Sequence, residues 1–453
     1  MKTPAINIPS IGKNIRKIAV FGAGKSGIAV AQKLGKNIVF LSEEKKNIDP
    51  KSLKLLKKMN IPFELGGHTK KAIDDTDLIV VSPGVHLDIP ILETARNINI
   101  PIIGEVELAS AFIKKPMIAV TGTNGKTTTT ELIGRLLKDH GYKIAVAGNI
   151  GYPLISVNDS KLDYIVAEIS SYQLETSRQF RPWISIILNI TEDHLTRHNT
   201  MGEYSKVKAL IFKNQHKNDH LIYNCDDKRV CNAVRSAKCR KIPFSRKRSL
   251  INGIFVKDDN IYYLSKKICS INEVRIKGEH NIENCLAAIG AALLCKVPVK
   301  SIKKTLADFR GVEHRIEFVK KTGGVSFYND SKGTNPDSTI VAIKTLYPAH
   351  EIVLILGGRD KMTDLTQMCR EVKEHVKDVV LIGEAKKRFR QCLKRIGFKR
   401  LHEAGNFNEA VRRSYKLAEP GDAVLLSPAC ASFDMFSNFE ERGKVFKKIV
   451  ANI

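Results

Sequence analysis

The stretch Met117-Ile118-Ala119-Val120-Thr121-Gly122-Thr123-Asn124-Gly125-Lys126-Thr127-Thr128 decides the fold. Four apolar residues of strand type run into a turn rich in threonine and glycine, and a helical pattern follows the lysine. The glycines let the backbone curl so that amide N–H groups converge at the head of a helix, where the positive end of the helix dipole favours an anion. Lys126 adds a mobile positive charge for a β- or γ-phosphate, and the Thr127 hydroxyl is of the type that ligates Mg²⁺. Val120 stands where the general GxxxxGK[ST] pattern has its first glycine. A plain glycine turn with a chance lysine is the competing reading. The strand before it and the helix after it weigh against that. By itself the loop predicts a site for a polyphosphate and Mg²⁺.

Working outward, strands alternate with helical stretches on both sides. Upstream, the apolar run 18–21 meets Gly22-Ala23-Gly24-Lys25-Ser26-Gly27, and further strands are expected at 37–41 and 78–81, the last ending in Ser82-Pro83-Gly84. A helical run at 105–112 forms a junction. Downstream of the loop, strands are expected at 164–167 and 184–188 and a helix at 281–294. Short strands and the turn signals Asn252-Gly253 and Asp258-Asp259-Asn260 suggest an antiparallel insertion over about 219–278. A last unit has strands at 325–328, 352–356, 379–382 and 423–426. Alternation of this kind argues for α/β domains with parallel sheets. Three are expected: a Rossmann-like domain over 1–104, a P-loop ATPase-type domain over 105–311 and a second Rossmann-like domain over 312–453.

The composition narrows the class without naming a partner. With 453 residues the chain exceeds one ordinary core. No apolar run approaches the ~18–20 residues of a membrane span, and the start Met1-Lys2-Thr3-Pro4 has no apolar signal core, leading through polar residues straight to the first strand. A cytoplasmic location is the expectation. Nine scattered cysteines without a CxxC pair read as reduced, structural thiols. The net charge of +27 is spread along the whole chain, and its densest run, 240–248, carries one aromatic, Phe244. That is a poor stacking platform for nucleic acid, so a solvated basic surface is preferred.

Further motifs each admit two readings. Gly22-x-Gly24-x-x-Gly27 suits a dinucleotide, with Glu43 as the acid after the second strand, or any other pyrophosphate ligand, or close strand–helix packing alone. Glu168, in Ala167-Glu168-Ile169-Ser170-Ser171-Tyr172-Gln173-Leu174-Glu175, and Asp193-His194, in Asn189-Ile190-Thr191-Glu192-Asp193-His194-Leu195, follow strands. Either segment could cap a helix or hold a hard cation. Three polar loops, beginning at Tyr328, Gly357 and Ser427, end strands of the last unit and point to one rim of one sheet.

Together these segments, with Gly278-Glu279-His280-Asn281 and Asn329-Asp330-Ser331-Lys332-Gly333-Thr334-Asn335, resemble the Mur ligases of peptidoglycan synthesis over essentially the whole chain. The glycine-rich start, Ser82-Pro83-Gly84 and the segment 426–443 resemble the branch that adds D-glutamate. The resemblance implies an ATP-dependent, amide-forming ligase of cell-wall biogenesis, tied to cell shape and division. UDP-N-acetylmuramoyl-L-alanine is the implied acceptor, D-glutamate the amine, and ATP with two Mg²⁺ ions the cosubstrates. The acceptor carboxylate is phosphorylated to an acyl phosphate, and the amine displaces phosphate, with ADP and phosphate released.

Residue by residue, the resemblance assigns Gly122, Thr123, Asn124, Gly125, Lys126, Thr127, Thr128, Asn281 and Arg315 to ATP. It assigns Thr127, Glu168, His194 and Lys208 to metal, the last as a carbamylated lysine. At an ordinary pKa of ~10.4 a lysine offers little neutral amine to CO₂, so burial would have to favour that form. Lys126, Glu168, His194, Lys208 and Lys332 are the implied catalytic set. Gly24, Lys25, Ser26, Ser82, Pro83 and Gly84 match the uridine-diphosphate site, and Asn149 the muramoyl-alanine part. Lys332 and Thr334 match residues near the reacting carboxylate, or the D-glutamate, and Lys361, Ser432 and Phe439 match the D-glutamate site. Ser42 stands where many relatives have an acid. A monomer with a nucleotide-dependent hinge near 311–314 is expected, with no nucleic-acid partner. An oxidoreductase would leave the phosphate loop unexplained, and a nucleic-acid-dependent NTPase would need a steep salt dependence of binding.

Overall fold

The computed structural model describes residues 5–9, 11–193, 195–347 and 349–453. His194, expected to be a metal ligand, lies outside the described residues.

The chain opens with a hairpin that sequence reading passed over as a polar lead-in. β1 (Ile6–Ile8) pairs antiparallel with β2 (Lys13–Ile15). Ile8 and Ile15 are buried, so the apolar residues of this short segment find a core after all.

The N-terminal sheet contains β3 (Ile18–Phe21), β4 (Ile38–Glu43), β5 (Phe63–Leu65), β6 (Leu78–Val81) and β7 (Ile102–Gly104). Its order is β5-β4-β3-β6-β7 and every pairing is parallel. All four residues of β3 and of β6 are buried, the signature of strands covered on both faces. The chain steps from β3 to β4 on one side and to β6 on the other. The crevice beyond β3 is therefore the switch point where such sheets bind ligands, and the glycine loop sits there.

The central sheet repeats this logic on a larger scale. Its members are β8 (Met117–Thr121), β9 (Ile144–Gly148), β10 (Tyr164–Glu168), β11 (Ile184–Ile187), β12 (His220–Asn224) and β13 (Arg240–Ser245), followed by β14 (Ile254–Lys257), β15 (Asn260–Tyr263) and β16 (Lys266–Ser270). The order β16-β15-β14-β13-β12-β11-β8-β10-β9 puts β8 between β10 and β11. The phosphate loop leaves the sheet at that point.

The expected antiparallel insertion over 219–278 is only partly there. β12, β13 and β14 extend the parallel sheet, and antiparallel pairing begins at β14 with β15 and β16. Of the two turn signals, Asp258-Asp259 is the hairpin: both residues take positive φ, 45° and 55°, as a two-residue type I′ loop requires. Asn252-Gly253 instead leads between parallel neighbours.

The C-terminal sheet has β17 (Glu317–Thr322), β18 (Val325–Asn329), β19 (Ile352–Gly357), β20 (Asp378–Ile382), β21 (Leu401–Glu403) and β22 (Ala423–Leu426) in the order β17-β18-β22-β19-β20-β21. Only the edge strand β17 is antiparallel, turned into β18 through Gly323-Gly324. By contact the chain divides into two compact units. One holds the N-terminal and central sheets. The other holds the C-terminal sheet with the short segments beginning at Thr191 and Val274. Among the described residues no helix is long and apolar enough to cross a membrane.

Candidate active site

The phosphate loop is built by close backbone approach. Gly122 and Gly125 have φ of 158° and 84°, and Gly125 is the residue before the helix Lys126–Asp139. A Cβ on Gly125 would lie 2.2 Å from Asn284 Oδ1, so a side chain is excluded on both conformational and steric grounds. Asn189, just past β11, buttresses the turn from outside: its carbonyl accepts from Thr123 N at 3.0 Å and its Oδ1 from Asn124 N at 2.8 Å.

The charged groups converge on this loop. Lys126 Nζ donates to Gly122 O at 2.8 Å and Thr123 O at 2.7 Å. Lys208 Nζ, from the helix Met201–Ala209, donates to the same Gly122 carbonyl at 2.9 Å and is 1% exposed. The sequence condition on Lys208, burial, is met. Two lysine side chains thus meet at one carbonyl of the loop, and Lys126 brings a positive charge suited to phosphate oxygens. Lys208 Nζ also lies 4.4 Å from the Tyr204 ring centroid, and the Tyr204 hydroxyl is 3.3 Å from Thr123 Oγ1. Tyr204, four residues before Lys208, thus links the lysine to the loop. It has no role in the sequence reading, although the i, i+4 spacing on one helix was a usable signal.

Thr127, next to Lys126, meets a carboxylate. Glu168, at the end of β10, is 1% exposed and accepts from Thr127 Oγ1 and from Asn149 Nδ2, each at 2.7 Å. Four of the predicted residues, Lys126, Thr127, Glu168 and Asn149, therefore stand in one constellation. Hydroxyl, amide and carboxylate oxygens are the donors a hard cation such as Mg²⁺ selects. Nearby, His198 Nε2 bonds Ser171 Oγ at 2.9 Å and Nδ1 lies 3.3 Å from Glu175 Oε1, while Arg197 pairs with Glu175 at 2.6 Å.

On the N-terminal sheet, Gly24, Lys25 and Ser26 occupy the head of the helix Lys25–Leu34. Gly27 packs so closely that a Cβ would meet Gly22 O at 1.8 Å, and Ser82 Oγ donates to that carbonyl at 3.2 Å. The two expected substrate loops, 24–26 and 82–84, thus form one rim. Glu43, which a dinucleotide site would present to a ribose, is half-buried and accepts from Ala23 N at 2.6 Å and from Lys45 N at 3.0 Å. Ser42 is fully buried and donates to Glu64 Oε1 at 2.6 Å.

In the C-terminal unit one buried arginine organises the rim. Arg442, 1% exposed, donates from Nε to Ser331 Oγ (3.0 Å), from Nη2 to Ser331 O (2.8 Å) and Cys430 O (3.1 Å), and from Nη1 to Ala431 O (3.3 Å). Ser331 Oγ passes the connection on to Phe439 O at 2.8 Å. The loops carrying Lys332, Ser432 and Phe439 are thereby tied to one guanidinium, and Lys332 Nζ stands 5.3 Å from the Phe439 ring centroid. Burial lowers the Arg442 pKa to about 10.

Asp330, wholly buried, has Arg315 Nη1 at 3.6 Å and accepts from Ser427 Oγ at 2.7 Å; burial still raises its pKa to about 6. Non-glycine residues with positive φ, His314 (65°), Ile316 (46°) and Ala429 (56°), gather on this rim. Such strained positions cluster at functional sites. Lys361 lies on the loop whose Arg359 N donates to Ala431 O at 2.9 Å. Thr334 N donates to Lys332 O at 2.9 Å. Asn281 Nδ2 donates to Lys277 O at 2.7 Å. Asp193 accepts from Asn335 Nδ2 at 2.9 Å.

These features define a phosphate-loop enzyme with two further α/β domains, one before and one after the loop-bearing domain in sequence. Three family models match in series: the MurD-like N-terminal domain of Mur ligases over 16–104, the Mur ligase middle domain over 120–292, and the Mur ligase glutamate ligase domain over 314–430. Curated relatives named UDP-N-acetylmuramoylalanine–D-glutamate ligase include one from Thermoanaerobacter sp. (strain X514), 46% identical over 97% of this chain and 98% of the relative. Another, from Clostridioides difficile (strain 630), is 42% identical over 97% and 99%. Among solved structures, the UDP-N-acetylmuramate–alanine ligase MurC of Thermotoga maritima shares the fold, with a TM-score of 0.61 at 20% identity over 96% of this chain and 99% of that one. MurF of Acinetobacter baumannii does so at 0.61 and 17%, over 91% and 90%. The chain belongs to the Mur ligase family, on the branch of the D-glutamate-adding ligases.

Proposed function

We propose that this chain joins D-glutamate to the alanine carboxylate of UDP-N-acetylmuramoyl-L-alanine at the expense of ATP. The observation that carries the chemistry is the joint placement of Lys126, Thr127 and Glu168 at the phosphate loop. The choice of substrates rests on the full-length likeness to ligases of that name. A carboxylate is a poor electrophile. Attack of its oxygen on the γ-phosphorus, with departure of ADP, gives an acyl phosphate. Attack of the D-glutamate amine on the acyl carbon then forms the amide and expels phosphate, the amine losing a proton. Both steps develop anionic charge on oxygen, which Lys126 is placed to stabilise electrostatically.

Thr127 and Glu168 would hold Mg²⁺. When bound, that ion neutralises charge on the phosphate oxygens. His194 and carbamylated Lys208 are assigned to a second ion in the same proposal. In the C-terminal unit, Lys361, Ser432 and Phe439 are assigned to D-glutamate, Lys332 and Thr334 to the reacting groups, and Asn281 and Arg315 to ATP. A cytoplasmic monomer is part of this reading.

The test is phosphate release from ATP and Mg²⁺ with UDP-N-acetylmuramoyl-L-alanine, comparing D-glutamate with L-glutamate, L-lysine and diaminopimelate. Release that D-glutamate alone stimulates is expected. Equal release with another amino acid would overturn the assignment.

A further inference from the structure

Two thiols in the C-terminal unit stand side by side, apart from every group used above. Cys369 lies on the helix Thr366–His375 and Cys392 on the helix Lys386–Arg395. Their sulfurs are 2.8 Å apart. A disulfide bond is ~2.05 Å long, so each sulfur would move by well under ~1 Å to reach it. Cys369 is buried and Cys392 partly exposed. Among the described residues no other cysteine has its sulfur against a second cysteine sulfur. Oxidation chemistry needs one reachable thiol and one resolving thiol beside it, and this pair has both.

We propose that Cys369 and Cys392 form a reversible oxidation site, at which a low-molecular-weight disulfide converts the dithiol to a cross-link between these two helices. The deprotonated sulfur of Cys392 attacks one sulfur of the reagent, breaking its S–S bond and releasing the first thiolate. Cys369 gives up its proton and attacks the Cys392 sulfur of the mixed disulfide, and the second thiolate leaves. Two protein thiols are oxidised by two electrons in all, the reagent is reduced to two thiols, and the two protons end on the leaving thiolates. Burial raises the Cys369 thiol pKa, which fits it for the second, intramolecular step and makes Cys392 the point of entry.

The cross-link would brace a functional loop. Arg388, one turn before Cys392, holds both oxygens of Asp360 at 2.7 and 2.9 Å and the Thr363 carbonyl at 3.0 Å. Lys361 sits in that loop, but the thiol chemistry does not depend on the role proposed for it.

The full chain is treated with hydroxyethyl disulfide, blocked with iodoacetamide and digested with trypsin. The expected product joins peptides 362–370 and 391–394, is lighter by two hydrogens and separates on adding dithiothreitol. The oxidised chain should unfold several degrees higher than the reduced one, and Cys392→Ser should leave Cys369 without cross-link or adduct. A stable reagent adduct on Cys392, iodoacetamide labelling of both thiols after treatment, or a lowered unfolding temperature would overturn the proposal.

Discussion

Replacing Arg442 by alanine tests the claim that one buried guanidinium organises the C-terminal rim. Four hydrogen bonds disappear, but their acceptors fare differently. Ala431 O keeps the bond from Arg359 N at 2.9 Å, and Ser331 Oγ keeps its own donation to Phe439 O. Ser331 O and Cys430 O lose the donors at 2.8 and 3.1 Å. A buried acceptor left without a donor costs about 1–3 kcal/mol, so the two together cost roughly 2–6 kcal/mol, with water entry into the vacated space favouring the lower half. Against a typical total stability of about 5–15 kcal/mol, the variant folds but is weakened. Arg442→Lys keeps a three-donor ammonium that can serve both orphaned carbonyls, so it should lose less than half as much. Urea unfolding measures the stability change. Steady-state kinetics should show KM for D-glutamate rising at least tenfold in Arg442→Ala, with KM for ATP nearly unchanged, because the tied loops carry Lys332, Ser432 and Phe439. A loss below about 0.5 kcal/mol, within the range of ordinary surface substitutions, would refute the reasoning.

Lys126→Ala should reduce phosphate release by at least a thousandfold while the urea midpoint stays close to the parent's; an active variant would remove the lysine from the phosphate site. Glu168→Gln retains an acceptor for Asn149 but loses the charge, and activity should fall a hundredfold or more without recovery by excess ATP. Lys208→Ala should lose activity that formate or acetate partly restores, since a small carboxylate can occupy the space of the carbamate; absence of any loss would end that idea. Burial raises the Glu105 pKa to about 7, above its ordinary 4.5. The folded state therefore binds a proton the unfolded chain does not, and stability should fall as pH rises from about 4.5 to 7. Glu105→Gln should flatten that slope, which urea titrations at pH 5 and pH 8 would reveal.

The legibility of this protein divides along sequence separation. The phosphate loop, the strand ends at Glu168 and Asn189, and the three polar loops of the last sheet are local patterns: a short apolar run, then residues with special backbone or charge. Each could be placed before any contact was known, because the chemistry of a strand end is carried by adjacent residues. The bonds that turn those loops into a site are not local. Arg442 meets Ser331 across 111 residues, and no periodicity announces that an arginine at the start of an amphipathic helix points inward. Its segment was conspicuous in the sequence; its role was not.

Glu43 makes the same point from the opposite side. Its spacing from the glycine loop fits a ribose-binding acid, and local pattern alone leaves a dinucleotide site open. Glu43 Oε2 takes the Ala23 amide of the glycine loop at 2.6 Å, and Oε1 takes the Lys45 amide just past β4 at 3.0 Å. Two of the roughly four acceptor sites of the carboxylate are thereby given to backbone amides. The glycines serve approach and packing, as the 1.8 Å conflict of a Gly27 Cβ with Gly22 O demands. The same three glycines fit a dehydrogenase as well as a uridine-diphosphate site, and it is the family match over 16–104, not Glu43, that separates the two.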